Sequence, residues 1–229
     1  MASGSGPGAQ APDGCSVELY RQSPYLDDLA PVGEFLPAGA SILELGCGTG
    51  RLTRVLLDWR LRPTAVDESA AMLAELPGGA ERVLSAIEAL ALDRRFDRVL
   101  LASRLINHAD AAVRAAFAAC AARHLQPGGK LLLQRHDPVW LATAQPGLLG
   151  QLGPASLRLE SVARNGPRAA MHLRYDIGAD SWHHRFETES LSESQIEALL
   201  RSFGFSTIDW HAPARTWAVA TPGPQRGPS

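Results

Sequence analysis

Sulfur is scarce in this chain: among 229 residues there are three cysteines, Cys15, Cys47 and Cys120, far apart and without a CxxC pair. Such a set gives neither a disulfide framework nor a zinc site, so no metal is expected and a reducing cytoplasm fits best. No apolar run reaches the roughly 18 residues needed to span a bilayer. Charge of either sign is also lacking in excess, since the formal net charge is −2. That leaves no basic field to favour nucleic acid or an anionic membrane as partner. HExxH, Walker-loop and GxSxG motifs are all absent, which removes the common metallohydrolase, nucleotide-hydrolase and serine-hydrolase readings. No internal repeat recurs at a fixed period.

What is present alternates. Residues 1–15 are rich in Gly, Ala, Ser and Pro, with neither the basic start nor the apolar stretch of a secretory signal, and are expected to be a disordered lead-in. Residues 16–37, interrupted by Pro24 and Pro31, predict a cap of two short helices. From 38 to 138 short apolar runs alternate with helical spacing. Ser41–Leu45, Thr64–Val66, Arg82–Ser85, Phe96–Ala102 and Lys130–Gln134 predict strands, separated by helices over Arg51–Leu61, Ser69–Leu76 and Asp110–Leu125. This alternation implies right-handed crossovers and a parallel sheet.

The last third reads differently. Leu157–Ala163, Ala170–Ile177 and Trp182–Thr188, punctuated by Asn165-Gly166 and Gly178-Ala179-Asp180, predict an antiparallel excursion within 155–190. Ser192-Glu193-Ser194-Gln195 matches a capping box and opens a helix to about Phe203. Ser206–Trp210 and Thr216–Ala220 would close the sheet as an antiparallel pair, and the Pro- and Gly-rich residues 221–229 read as a disordered tail. The expected architecture is one α/β domain over 16–220. It has a doubly wound, mostly parallel seven-stranded sheet, an antiparallel C-terminal strand pair and a small antiparallel β excursion.

The sharpest feature is Glu44-Leu45-Gly46-Cys47-Gly48-Thr49-Gly50, between a strand and a helix. Side-chain-free positions let the chain bend tightly and let a ligand touch backbone, and the helix that follows offers free N–H groups. Arg51 occupies the place where a dinucleotide fingerprint wants its third glycine, which counts against NAD and an oxidoreductase. Asp67 ends the next strand, where a carboxylate can accept both hydroxyls of a ribose in the crevice at the strand ends. It is equally placed to cap the following helix with Ser69, and the two roles are compatible.

On these residues the chain resembles the class I S-adenosylmethionine-dependent methyltransferases. ILELGCGTGRL (42–52) and AVDESAAML (65–73) are similar to the family's first two motifs, FDRVLLASRLINHAD (96–110) and LQPGGKLLLQRHDP (125–138) to its fourth- and fifth-strand motifs. The resemblance spans about 17–220 and implies a Rossmann-like fold with S-adenosylmethionine as cofactor. It implies that Gly46, Cys47, Gly48 and Gly50 lie against the methionine and ribose, and that Glu44 orients the methionine amino group. Asp67 would hold the ribose hydroxyls, with Glu68 and Ser69 beside it and Met72 near the adenine. Ala86 and Ile87 would flank the adenine, and Ala102 and Ser103 would face the methionine. The Asp that many members carry after the third strand is missing, since Ser85, Ala86 and Ile87 stand there with Glu88 one turn on.

Methyl transfer from a sulfonium is an in-line displacement that mainly needs alignment and exclusion of water, with a base only where the acceptor must lose a proton. His136 and His108, on the loops after the fifth and fourth strands, are the candidate catalytic bases. Tyr20 and Tyr25 are candidates for a lid, and Arg104 and Trp182 for the acceptor pocket. His183 and His184 flank the same place, but neighbours on a strand face opposite ways, so at most one would line it. The leading expectation is a small-molecule methyltransferase, monomeric or homodimeric. The alternatives are a methyltransferase of protein or nucleic acid, and a fold relative that binds the cofactor without turnover. The N/D-P-P-Y/F/W acceptor motif of DNA amino-group methylases is absent after the fourth strand.

Overall fold

The computed structural model describes residues 2–223. Seven strands form one sheet: β2 (Ser41–Leu45), β3 (Arg62–Asp67), β4 (Glu81–Leu84), β5 (Phe96–Leu101), β6 (Leu125–Gln134), β11 (Phe205–His211) and β12 (Trp217–Pro222). Their order is β11-β12-β6-β5-β2-β3-β4. β4, β3, β2, β5 and β6 run parallel, while β12 is antiparallel to both β6 and β11. This is the doubly wound, mostly parallel sheet with an antiparallel C-terminal pair that the alternation predicts.

The period of two along each strand explains the layers. Leu43, Leu45, Val99, Leu101, Leu131 and Leu133 point to one face and pack with α4 (Ala111–His124) and α6 (Glu193–Ser202). Ile42, Leu100, Leu132, Trp217 and Val219 point to the other and pack with α2 (Arg51–Asp58) and the 3-10 turn Ala30–Phe35. A sheet buried on both faces has to be apolar at consecutive positions, which is why these strands read as continuous hydrophobic runs. The helices start where their caps dictate. Asp110 accepts from Ala112 N at 2.8 Å, and Ser192 and Gln195 close the expected capping box with reciprocal bonds of 3.2 and 2.8 Å.

A second, antiparallel sheet has the order β1-β10-β9-β8-β7, formed by β1 (Ser3–Ser5), β7 (Gly147–Leu152), β8 (Ala155–Asn165), β9 (Arg168–Ile177) and β10 (Asp180–Glu189). It is larger than the excursion expected within 155–190. Its hairpins close through Gly153-Pro154, Gly166-Pro167 and Gly178-Ala179, each with the glycine at a φ near +60° as the first central residue. That is the sign pattern of the turns whose twist suits a two-residue hairpin. Two further helices, α1 (Val17–Arg21) and α3 (Ala70–Ala74), carry the cap and the β3–β4 crossover, and α5 (Pro138–Thr143) follows β6.

Two expectations are corrected here. The N-terminal segment is not a disordered lead-in: Ser3–Ser5 pairs with β10, and the Trp182 indole N–H donates to the Pro7 carbonyl at 2.9 Å. The edge of β10 offers unpaired backbone groups that this segment satisfies, so pairing overrides a flexible composition. Thr221 and Pro222, placed in the tail from sequence, belong to β12, and the rest of that tail, 224–229, lies outside the described residues. No helix among the described residues is long and apolar enough to cross a membrane.

Candidate functional site

The chain reverses direction in the sheet order between β2 and β5, and the crevice at that switch point is where open α/β sheets take ligands. Here it opens into a cavity of about 940 Å³. Its floor is the carboxyl ends of β2, β3 and β5, and its roof comes from β9, β10 and the N-terminal segment. The two sheets are stapled at its edge by Asn107, which is buried. Its side-chain amide donates to the Glu189 carbonyl at 2.7 Å, its side-chain oxygen accepts from His136 N at 2.7 Å, and its own carbonyl accepts from the Thr188 hydroxyl at 3.1 Å.

The glycine loop lies on the floor. Asp67 fixes it, because one carboxylate oxygen accepts from Gly48 N at 2.8 Å and the other from Ser69 N at 2.9 Å. Burial pushes the Asp67 carboxyl upward, and these two N–H groups pull it back. A carboxylate has about four lone-pair sites, so each oxygen keeps one for a further donor. Gly48 sits at φ +56°, and a Cβ placed on it would meet nothing within 4 Å, so that face of the loop opens into space a ligand can take. Glu44 is 3% exposed and borders the cavity, with one oxygen accepting from the Thr53 hydroxyl at 2.6 Å. Burial raises its pKa to about 7, against the pull of Thr53 and Arg51.

Across the cavity, Arg104 extends from the turn after β5, where Ser103 and Arg104 both adopt left-handed backbone, at φ 54° and 62°. Such conformations cost non-glycine residues about 1–3 kcal/mol each and gather at functional sites. The turn is held by Gln134, whose side-chain oxygen accepts from Ser103 N at 2.9 Å. His136 lines the same wall and stacks on Trp140, and burial, followed by the nearby Arg104 charge, pushes its pKa down to about 3. Its imidazole is neutral at physiological pH. The phenols of Tyr20 and Tyr175 also border the cavity, both pushed upward, Tyr20 first by the adjacent Cys15 and Tyr175 first by burial.

Residues 42–129 match the methyltransferase domain family. That span opens at β2 and carries the glycine loop, Asp67 and the Ser103-Arg104 turn. Over this span the chain carries a methyltransferase domain. Among solved structures, it is similar to an S-adenosylmethionine-dependent methyltransferase from Clostridium acetobutylicum (19% identity, covering 83% of this chain and 87% of that one, TM-score 0.69). It is also similar to the CcbJ methyltransferase of Streptomyces caelestis (19% identity, 83% and 92% covered, TM-score 0.71). A third is CalS10, an amino pentose methyltransferase from Micromonospora echinaspora solved with S-adenosylmethionine (22% identity, 90% and 95% covered, TM-score 0.68). At these identities the likeness establishes the fold. No curated protein matches the chain.

Most residues singled out in the sequence line one cavity: Glu44, Gly46, Cys47, Gly48, Asp67, Glu68, Met72, Ala86, Ile87, Ala102, Ser103, Arg104, His108, His136 and Tyr20. Four do not. Gly50 sits at φ +85° against α3, where a Cβ would strike Leu76 at 2.5 Å, so it serves packing. Ser69 is turned away as the N-cap of α3, accepting from Met72 N at 3.3 Å. The Tyr25 hydroxyl accepts from Leu29 N at 3.1 Å while its ring packs beside the apolar core of the cap. Trp182 is 2% exposed, filling the core between α1 and the second sheet with Leu19, Ala155 and Tyr175.

Of the two adjacent histidines only His184 borders the cavity, as strand alternation requires. His108 lines it too, but its Nδ1 accepts from Asp110 N at 3.1 Å, so the neutral ring carries its proton on the other nitrogen and has no free lone pair to act as base. Asp13, Cys15, Leu173, Tyr175 and Phe186 also line the cavity and were missed. Period-two alternation puts Leu173 with Tyr175, and His184 with Phe186, but does not say which face of that sheet is covered.

Proposed function

We propose that this cavity holds S-adenosylmethionine on its floor and a small-molecule methyl acceptor beneath its roof. The observation that carries this reading is Asp67. It clamps the glycine loop through Gly48 N while keeping a free acceptor site on each oxygen, so it can take two vicinal hydroxyls without losing its own bonds. Glu44 takes the methionine ammonium, a cation that offsets the cost of ionising a carboxylate held near pH 7. Ala86 and Ile87 flank the adenine, which rests on apolar contact where relatives of this type use an Asp. A volume of about 940 Å³ is at the upper end of the roughly 300–1,000 Å³ typical of small-molecule pockets. It suits two small ligands lying together. The roof of β9, β10 and the N-terminal segment supports a small acceptor over a protein or nucleic acid, because a polymer needs an open groove. Three free cysteines fit a cytoplasmic setting.

Bound there, S-adenosylmethionine supplies a methyl group activated on a sulfonium sulfur, whose electron pair returns to sulfur as the new bond forms. The chain's task is then to align the acceptor with that methyl and to keep water out. A neutral His136 accepts a hydrogen bond from an acceptor hydroxyl or amine without repelling it. With a pKa near 3 it orients the nucleophile and is too weak to strip its proton at neutral pH. Calorimetry on Asp67→Ala tests the cofactor assignment. A loss of at least tenfold in S-adenosylmethionine affinity is expected, about 1.4 kcal/mol. Unchanged affinity in a folded variant removes the assignment.

A further inference from the structure

Among the described residues, the cavity lining contains one cation without a counter-charge. Among the described residues the Arg104 guanidinium makes no hydrogen bond or ion pair with the protein, although it borders the cavity. The other cations on that lining are engaged: Arg51 pairs with Asp28, and Arg168 reaches Glu189 at 3.3 Å. Arg104 is also held where it is at a cost. Two successive residues, Ser103 and Arg104, take left-handed backbone, and the buried Gln134 pins the turn through Ser103 N. A strained and clamped turn that delivers a five-donor planar fork into a cavity is a device for presenting that fork to a ligand.

The geometry points to Arg104 as the recognition group for a carboxylate on the methyl acceptor, so that the substrate class is an anionic small molecule. The guanidinium fork matches a carboxylate bidentately. The side chain stays exposed along the cavity wall and so is open to a ligand; the atoms packed around it disfavour its charge, Asp28, already bound to Arg51, offsets this only in part, and an incoming carboxylate adds the missing counter-charge. Besides Arg51, whose positive charge disfavours that of Arg104 further and is itself paired with Asp28, its electrostatic neighbours are Tyr20 of α1, Tyr175 of β9 and His136, all neutral groups of the roof and the β6 end. These neutral groups supply hydrogen bonds to the remainder of such a molecule without competing for its charge.

This inference rests on the reading of the cavity as a cofactor and acceptor site, and the test separates the two. Wild type and Arg104→Gln, compared after thermal melts confirm folding, are first titrated with S-adenosylhomocysteine and with 5′-methylthioadenosine, which lacks the methionine carboxylate. Failure of wild type to bind either one defeats the cofactor reading itself. The S-adenosylhomocysteine-loaded proteins are then titrated with 4-hydroxybenzoate and with its neutral amide, 4-hydroxybenzamide. Wild type is expected to bind the carboxylate at least tenfold tighter than the amide. Arg104→Gln is expected to lose that preference while keeping S-adenosylhomocysteine affinity within twofold, and Arg104→Lys to keep part of the preference. Equal binding of the two probes by loaded wild type overturns the inference. So does a tenfold loss of S-adenosylhomocysteine, but not of 5′-methylthioadenosine, in Arg104→Gln, since Arg104 would then serve the cofactor's carboxylate.

Discussion

Replacing Glu44 with Gln separates the stability of the fold from the chemistry of its floor. Glu44 is fully enclosed and its pKa is raised by burial from 4.5 to about 7, so ionising it in the folded protein costs about 3 kcal/mol more than in the unfolded chain. The sign follows from which state holds the proton more tightly. The folded state does, so the penalty is absent at acid pH where both states are protonated. It grows as the unfolded carboxyl ionises and is complete above pH 7. Gln keeps the shape and still accepts from the Thr53 hydroxyl, and it never ionises. The ligand-free variant is therefore expected to outlast wild type by a margin that widens by about 2.5 kcal/mol between pH 5 and pH 8. For a chain of this size that is about 5–10 °C in Tm. Thermal unfolding followed by circular dichroism across that range is the assay. In the same samples S-adenosylmethionine affinity is expected to fall at least tenfold at pH 8, because the ammonium loses its counter-charge, and the wild-type Kd is expected to rise as pH drops below 7. Melting curves of the two proteins that stay parallel from pH 5 to pH 8 refute the buried-carboxylate argument. Equal affinities refute the ammonium assignment.

Two further outcomes bear on how the roof is attached. Asn107→Ala strips both side-chain bonds from a buried junction between the sheets and leaves the Glu189 carbonyl and His136 N–H unpaired, so a loss of about 2–4 kcal/mol is expected, read as a lower Tm with the α/β core still folded. An unchanged Tm means the sheets do not depend on this staple. Trp182→Ala empties a core position and removes the bond to Pro7, with an expected cost of about 3–5 kcal/mol. Amide exchange in residues 2–16 is expected to rise well beyond that of β2 and β5, and protection that persists in that segment contradicts the tether.

The parallel sheet was readable in the sequence because its demands are local. A strand buried on both faces carries apolar residues at consecutive positions, as in Ile42-Leu43 and Val99-Leu100-Leu101, and the glycine loop and Asp67 belong to one crossover. The roof was not readable in the same way, because its contacts join residues far apart in the chain. Ser3–Ser5 is a strand only because β10 leaves an edge beside it, and Tyr175 faces the cavity only because that side of the second sheet is the covered one. Trp182, expected as pocket lining, is core for the same reason: it packs with Leu19, Ala155 and Tyr175 and its indole is tied to Pro7 of the N-terminal segment.

The Ser103-Arg104 turn is the instructive case. Local preference argues against left-handed backbone at two successive non-glycine residues, and a sequence chosen for stability alone would place Gly or Asn there. Keeping Ser and Arg means that the side chain at 104 matters more than the strain of presenting it. Gln134, buried at the end of the neighbouring strand, is what makes that strain tolerable. The floor of the cavity is built from rules shared by many chains of this fold, whereas this turn departs from those rules. The identity of the acceptor is therefore to be sought at Arg104 and the groups around it, rather than in the glycine loop.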